Sequence, residues 1–227
     1  MASITAPRVA LITAGSAGLG AAIARTLAVD CGMSVVINYA HNATRAARLV
    51  EELQRRVAAT NAGAGSTEQT FHAIAADLQA PGEIQRLVAE TLALTGGRLD
   101  AVISNVGWTR MTDFLDLEQG VVEDDWDRCF DVNVKGHLRL FHAAQHALGT
   151  SSDGVFISTA SVAGVKPSGS SLDWGMNFPQ EKLDKAKEAN KLKRFATVED
   201  VARQVRVFVE SNTVTGQNAV IDAGFSL

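Results

Sequence analysis

Tyrosine is almost missing from this chain: 227 residues hold one, Tyr39, beside 9 phenylalanines and 3 tryptophans. Any chemistry that needs a phenol is confined to that position. Cysteine is scarce as well. Cys31 and Cys129 stand alone in helix-like segments without metal-ligand spacing, which argues against a zinc site or a disulfide framework. A reducing, cytoplasmic setting is expected. Basic residues are not in excess: 21 Lys and Arg against 25 Asp and Glu give a net charge of −4, so no nucleic-acid partner is expected. No run approaches the ~18 apolar residues of a membrane helix, and Met1 to Arg8 lacks the apolar core of a leader, so no membrane partner is expected. Three of the five histidines, His137, His142 and His146, fall on one helix-like segment. Without a glutamate in a His-Glu-x-x-His arrangement they read as surface or subunit-contact residues, and no metal is expected.

The residues that are abundant alternate in a regular way. Arg8–Thr13, Ser34–Asn38, Phe71–Ala75, Leu99–Ser104 and Gly154–Ser158 are short apolar runs suited to buried parallel strands. Helical stripes lie between them: Leu19, Ala22, Ile23 and Leu27; then Ala46, Leu49, Leu53 and Val57; then Ile84, Leu87, Val88 and Thr91. One long helix is expected to carry Trp126, Phe130, Val134, Leu138 and Phe141. Strands alternating with helices predict an α/β fold with one doubly wound, mostly parallel sheet over residues 1–227. Ala219–Asp222 is the last expected strand, and Glu181–Arg194 is a charged helix with a thin apolar stripe.

A glycine-rich turn, Thr13-Ala-Gly-Ser-Ala-Gly-Leu-Gly20, follows the first strand and opens the first helix. That context suits a dinucleotide, because backbone amides approach the pyrophosphate where the helix dipole favours negative charge. Asp77-Leu78 ends the third strand, Ser104-Asn-Val-Gly107 the fourth, and Ser161-Val-Ala-Gly164 follows the fifth; Asn133 lies seven residues after Trp126. With Thr215-Gly216-Gln217 and the ending Asp222-Ala-Gly224, these motifs make the chain resemble the short-chain dehydrogenase/reductases, and its Asn38-Tyr-Ala segment resembles the 3-oxoacyl-carrier-protein-reductase-like branch. The resemblance implies a single Rossmann-type domain. It implies that Gly15, Ser16, Gly18, Leu19 and Gly20 hold the pyrophosphate, that Asp77 and Leu78 flank adenine, and that Asn105, Val106 and Gly107 line the cofactor cleft. Asn38 and Tyr39 would lie beside the ribose, Asn133 would hold a water in a proton relay, and Ser161 would bond the substrate carbonyl. A homodimer or homotetramer is implied too.

NAD-preferring members place an acid at the end of the second strand. Here Asn38-Tyr-Ala-His41 has none, and Arg45 and Arg48 follow, so NADP(H) is expected over NAD(H). The implied activity is reduction of a ketone or aldehyde, or oxidation of the alcohol. The family's tyrosine and lysine are absent: their places fall on Trp174 and Phe178. Two readings follow. In one, roughly 30–35 residues, a helix and a strand, belong between Leu172 and Asp173. In the other, the chain is an inactive NADP(H)-binding or regulatory protein. Trp174–Arg194 would be a substrate lid.

Overall fold

The computed structural model describes residues 6–60, 68–110, 112–113, 116–164 and 180–227. Five strands form its sheet: β1 (Val9–Ile12), β2 (Ser34–Tyr39), β3 (Phe71–Ala75), β4 (Ala101–Ser104) and β5 (Val155–Ser158). All four pairings are parallel and the order is β3-β2-β1-β4-β5. Register aligns Ala10 with Val35 on one side and with Ala101 on the other. β1 and β4 are buried throughout, which is why they read as unbroken apolar runs rather than alternating ones.

Successive side chains of each strand feed two different layers. Ala10, Ile12, Val35, Ile37 and Ile103 pack against α1 (Gly18–Val29), α2 (Ala43–Thr60) and, beyond, α8 (Val198–Glu210). Val9, Leu11, Val36 and Val102 pack against α3 (Pro81–Leu94) and α6 (Gly136–Thr150). Local signals set the helix ends. Pro81 sits in the first turn of α3, where its missing N–H has no cost. Thr197 and Asp200 form a reciprocal capping box that starts α8. The short helix α4 (Leu117–Gly120) precedes α5 (Glu123–Phe130), and α7 (Gln180–Ala189) is the charged helix expected from the sequence.

Two expectations are corrected. The single long helix is α5 and α6 joined through a π-helical turn, Asp131–Lys135, in which the Gly136 N–H donates to the Asp131 carbonyl. Its buried face is Val132, Gly136, Leu140, Ala144 and Leu148, while Trp126, Phe130, Val134, Leu138 and Phe141 face outward. Ala219–Asp222 is not a strand. A strand exists only by pairing, and among the described residues β5 pairs with β4 alone and offers no neighbour to this segment. The tail instead turns back on the end of α7, where the Leu192 N–H donates to the Ala223 carbonyl at 3.0 Å. Among the described residues no helix is long and apolar enough to cross a membrane.

Candidate active site

The sheet reverses its winding between β1 and β4, so a crevice opens above their C-terminal ends. The glycine loop leaves β1 there. A Cβ on Gly15 would stand 2.7 Å from Ile37 Cβ, and one on Gly20 would stand 2.3 Å from the Ala14 carbonyl. Only glycine lets the loop lie on β2 and lets α1 close on the loop. Gly18 has a φ of +50° and nothing within 4 Å of its would-be Cβ, so it faces open space. Ala14, at φ +48°, is a left-handed non-glycine residue, a conformation that costs about 1 kcal/mol. Ser16 is buried and Leu19 half-buried. Ala17 caps α1 with no side-chain bond, and no acid occupies the first turn. The N-terminal amides of α1 therefore lack a side-chain partner and suit an anion. These residues fit a dinucleotide.

Asn38 is 2% exposed. Its Oδ1 accepts from the Ala14 N–H at 3.3 Å, its Nδ2 donates to the Ala76 carbonyl at 3.0 Å, and its own carbonyl accepts from the Gly15 N–H at 2.8 Å. The buried side chain ties β1, β2 and β3 together. Tyr39 is half-buried against the α1–α2 layer. Arg45 and Arg48 are exposed on α2, and neither has an ion-pair partner among the described residues. Asp77 accepts from the Gln79 N–H at 3.1 Å, and Leu78 is buried, its carbonyl 3.8 Å from the Cβ that Gly136 lacks.

The segment after β4 is clamped residue by residue. The Thr13 hydroxyl oxygen accepts from the N–H groups of Asn105 at 2.8 Å and Val106 at 3.0 Å, which joins the ends of β1 and β4. The Asn133 amide makes a reciprocal pair with the Trp108 backbone, accepting from its N–H and donating to its carbonyl, both at 2.8 Å. The π-helical turn is what brings Asn133 to this segment. A Cβ on Gly107 would meet Asn133 Oδ1 at 3.6 Å, an ordinary contact, so packing against Asn133 does not require a glycine there. The Arg128 guanidinium lies 4.5 Å above the Trp108 ring.

His137 corrects its expected surface role. It is half-buried on α6, with Nε2 3.0 Å from the Val106 carbonyl and Nδ1 2.8 Å from the Ser158 hydroxyl. Burial holds its pKa below the ordinary value, against the opposing pull of the Val106 carbonyl. Neither Thr13 nor His137 was given a part in the site from sequence, although His137 stands one helical turn after Asn133 and so shares its face.

Ser161 is exposed, its Oγ accepting from the Ala163 N–H at 3.2 Å within a short turn. The structure thus brings together the glycine loop, Asn105–Gly107 and Asn133, and sets Ser161 three residues past the Ser158 that His137 holds. Trp174 and Phe178, and residues 174–179 of the expected lid, lie outside the described residues. Among the described residues no cluster of three or more His, Cys, Asp or Glu could hold a metal.

Comparison with known proteins agrees with this geometry. The short chain dehydrogenase family model matches residues 8–172, ending where the expected gap begins. A putative ketoacyl reductase of the granaticin polyketide synthase from Streptomyces violaceoruber is 27% identical, with 96% of each chain covered. That alignment runs over 257 positions against a chain of 227, so it includes positions of the relative that no residue here matches. A 3-oxoacyl-[acyl-carrier-protein] reductase of Synechocystis is 32% identical over 73% of this chain and 60% of its own length. The chain spans about half the length of several other curated relatives. A short-chain dehydrogenase of Burkholderia cenocepacia, solved in complex with NADP, shares the fold with a TM-score of 0.79 at 23% identity, with 99% of both chains covered. With most of its length matched by the family model, and with the parallel sheet and crevice to go with it, this chain belongs to the short-chain dehydrogenase/reductase family of NAD(P)-dependent oxidoreductases.

Proposed function

We propose that the protein is an NADP(H)-dependent reductase that converts a ketone or aldehyde to an alcohol, or runs the reverse. The carrying observation is the crevice at the switch point, where the glycine loop and Asn105–Gly107 are joined through the Thr13 hydroxyl. Gly15, Ser16, Gly18, Leu19 and Gly20 with the amides of α1 would hold the pyrophosphate, and Asp77 and Leu78 would flank adenine. Arg45 and Arg48, exposed and without acidic partners among the described residues, would meet a 2′-phosphate that a carboxylate would repel. When bound, the nicotinamide supplies a hydride to the carbonyl carbon.

The remaining requirement is a proton for the oxygen. Ser161 accepts from Ala163 and keeps its own proton to donate to a carbonyl. It positions a substrate but is no acid. Asn133 gives one N–H and one lone pair of its side-chain amide to Trp108, which leaves a second N–H and its main chain for a water in a relay. Tyr39 ends β2, three strands from β5 and hence roughly 14 Å from it, too far to serve. We infer that the catalytic form carries a segment of roughly 30–35 residues between Leu172 and Asp173, one helix and one strand, with the tyrosine and lysine on the helix. The edge of β5, open among the described residues, and the outward Trp126, Phe130 and Leu138 support that reading, and support a homodimer or homotetramer as well. Cys31 and Cys129, both free, suit a cytoplasmic setting.

A second reading rests on the chain as it stands: with no tyrosine after Ser161, it would bind NADP(H) without turnover. The intact mass of the protein purified from its source separates the two. A mass about 3–4 kDa above 24.0 kDa, an added helix and strand, supports the reductase. A mass of 24.0 kDa, with NADPH bound and no carbonyl reduced, sinks it in favour of the binder.

A further inference from the structure

His137 joins the cofactor cleft to the strand leading into Ser161 from α6, beside the weaker 3.4 Å contacts of the Thr159 hydroxyl with the Ser104 carbonyl and Asn105 Oδ1, and neither the fold nor the proposed chemistry accounts for it. A carbonyl can only accept, so the 3.0 Å contact with Val106 requires the proton on Nε2. Nδ1 is then a bare acceptor and must take the Ser158 O–H at 2.8 Å. Both ring nitrogens are satisfied in one tautomer only. Val106 is consequently gripped at both backbone polar groups by side chains from other elements: its N–H by Thr13 at the end of β1, its carbonyl by His137 on α6. One turn along α6, Phe141 packs edge-to-face on Phe156 of β5, with ring centroids 5.2 Å apart, so the imidazole is steadied against the same strand.

We propose that His137 is a positioning residue: as the neutral Nε2–H tautomer it fixes the Val106 carbonyl in the cofactor cleft and, through Ser158, couples the end of β4 to the end of β5, so that the cleft and the Ser161 turn are held in one geometry. The cofactor consequence rests on the NADP(H) reading above; the tautomer and the coupling do not. A histidine that merely filled space between α6 and the sheet would show no effect confined to these two segments.

The experiment combines imidazole nitrogen-15 NMR of the whole protein at neutral pH with two variants, His137→Leu and His137→Gln, read by amide exchange and by NADPH fluorescence titration. The wild type should carry its proton on Nε2. His137→Leu should speed exchange at Asn105, Val106 and Trp108 and at Thr159, and weaken NADPH, each roughly tenfold, the effect of one hydrogen bond lost at a part-buried carbonyl. Gln can still donate to Val106, so His137→Gln should keep NADPH affinity within about threefold of wild type. A proton on Nδ1, or exchange in His137→Leu that rises uniformly over the sheet or not at all, overturns the proposal. Should the wild type bind no NADPH, the functional reading falls, while the tautomer and the local exchange still decide the role of His137.

Discussion

The two halves of the sheet differ in how completely they are covered. β1, β2 and β4 are buried nearly end to end between helical layers, and Leu11, Ile12, Ile37 and Ile103 are fully enclosed. β5 is half-exposed along its length, has one neighbour among the described residues, as β3 has at the other edge, and packs on α6, whose outer face shows Leu138 at 66% exposed. A helix apolar on both faces is built to be covered twice. The β1, β2 and β4 part of the sheet is a closed core; the β5 side is open among the described residues.

Substitutions can break this contrast. The largest effect is expected in the closed half: Leu11→Ala should lower unfolding stability by about 2–5 kcal/mol in a urea titration, since its site on a central strand cannot collapse. A loss below 1 kcal/mol there, a surface-like value, would mean that the closed half is no better packed than the rest.

Asp100 should come next. It is buried at the start of β4, where burial opposes its charge but bonds from Arg98, Ser151 and the Val9 N–H outweigh that and hold its pKa below the ordinary carboxylate value. A depressed folded-state pKa adds stability above the unfolded value near 3.9, and that stability is lost as pH falls through the folded value. Asp100→Asn should therefore cost about 1.5–3 kcal/mol at pH 7. The deficit should shrink as the pH falls below about 4. A pH-independent difference between variant and wild type would remove the electrostatic account.

The smallest effect belongs to the open half. Leu138→Ser should change stability by less than about 0.5 kcal/mol, because an exposed side chain loses little on replacement. A loss comparable to that at Leu11 would show that this face is covered in solution and that the contrast does not hold there.

The fold was legible because parallel strands buried on both faces are continuous apolar runs, and all five described strands were recognised in order. The tight turn after β1 was legible for a similar reason: glycines at Gly15 and Gly20 are demanded by close backbone approach, and such demands leave a mark in the sequence. Asn38 was harder. Its position at the end of β2 pointed to the ribose, but its amide is turned inward to Ala14 and Ala76, contacts with partners 24 and 38 residues away. His137 was read as a surface or subunit-contact residue because its partners, Val106 after β4 and Ser158 of β5, lie far from it in sequence and no local pattern marks them. Ala219–Asp222 has strand composition, yet composition supplies no partner strand.

The sequence by itself determined the α/β alternation, the glycine loop, the lack of an acid after β2 and the absence of a tyrosine after Ser161, because each is a property of residues adjacent in the chain. Only the tertiary structure decided which side chains converge on Val106, which face of α6 is buried, and whether an apolar tetrapeptide becomes a strand. Those outcomes depend on hydrogen bonds and burial between residues far apart in sequence, and each needs its partner in place before it exists.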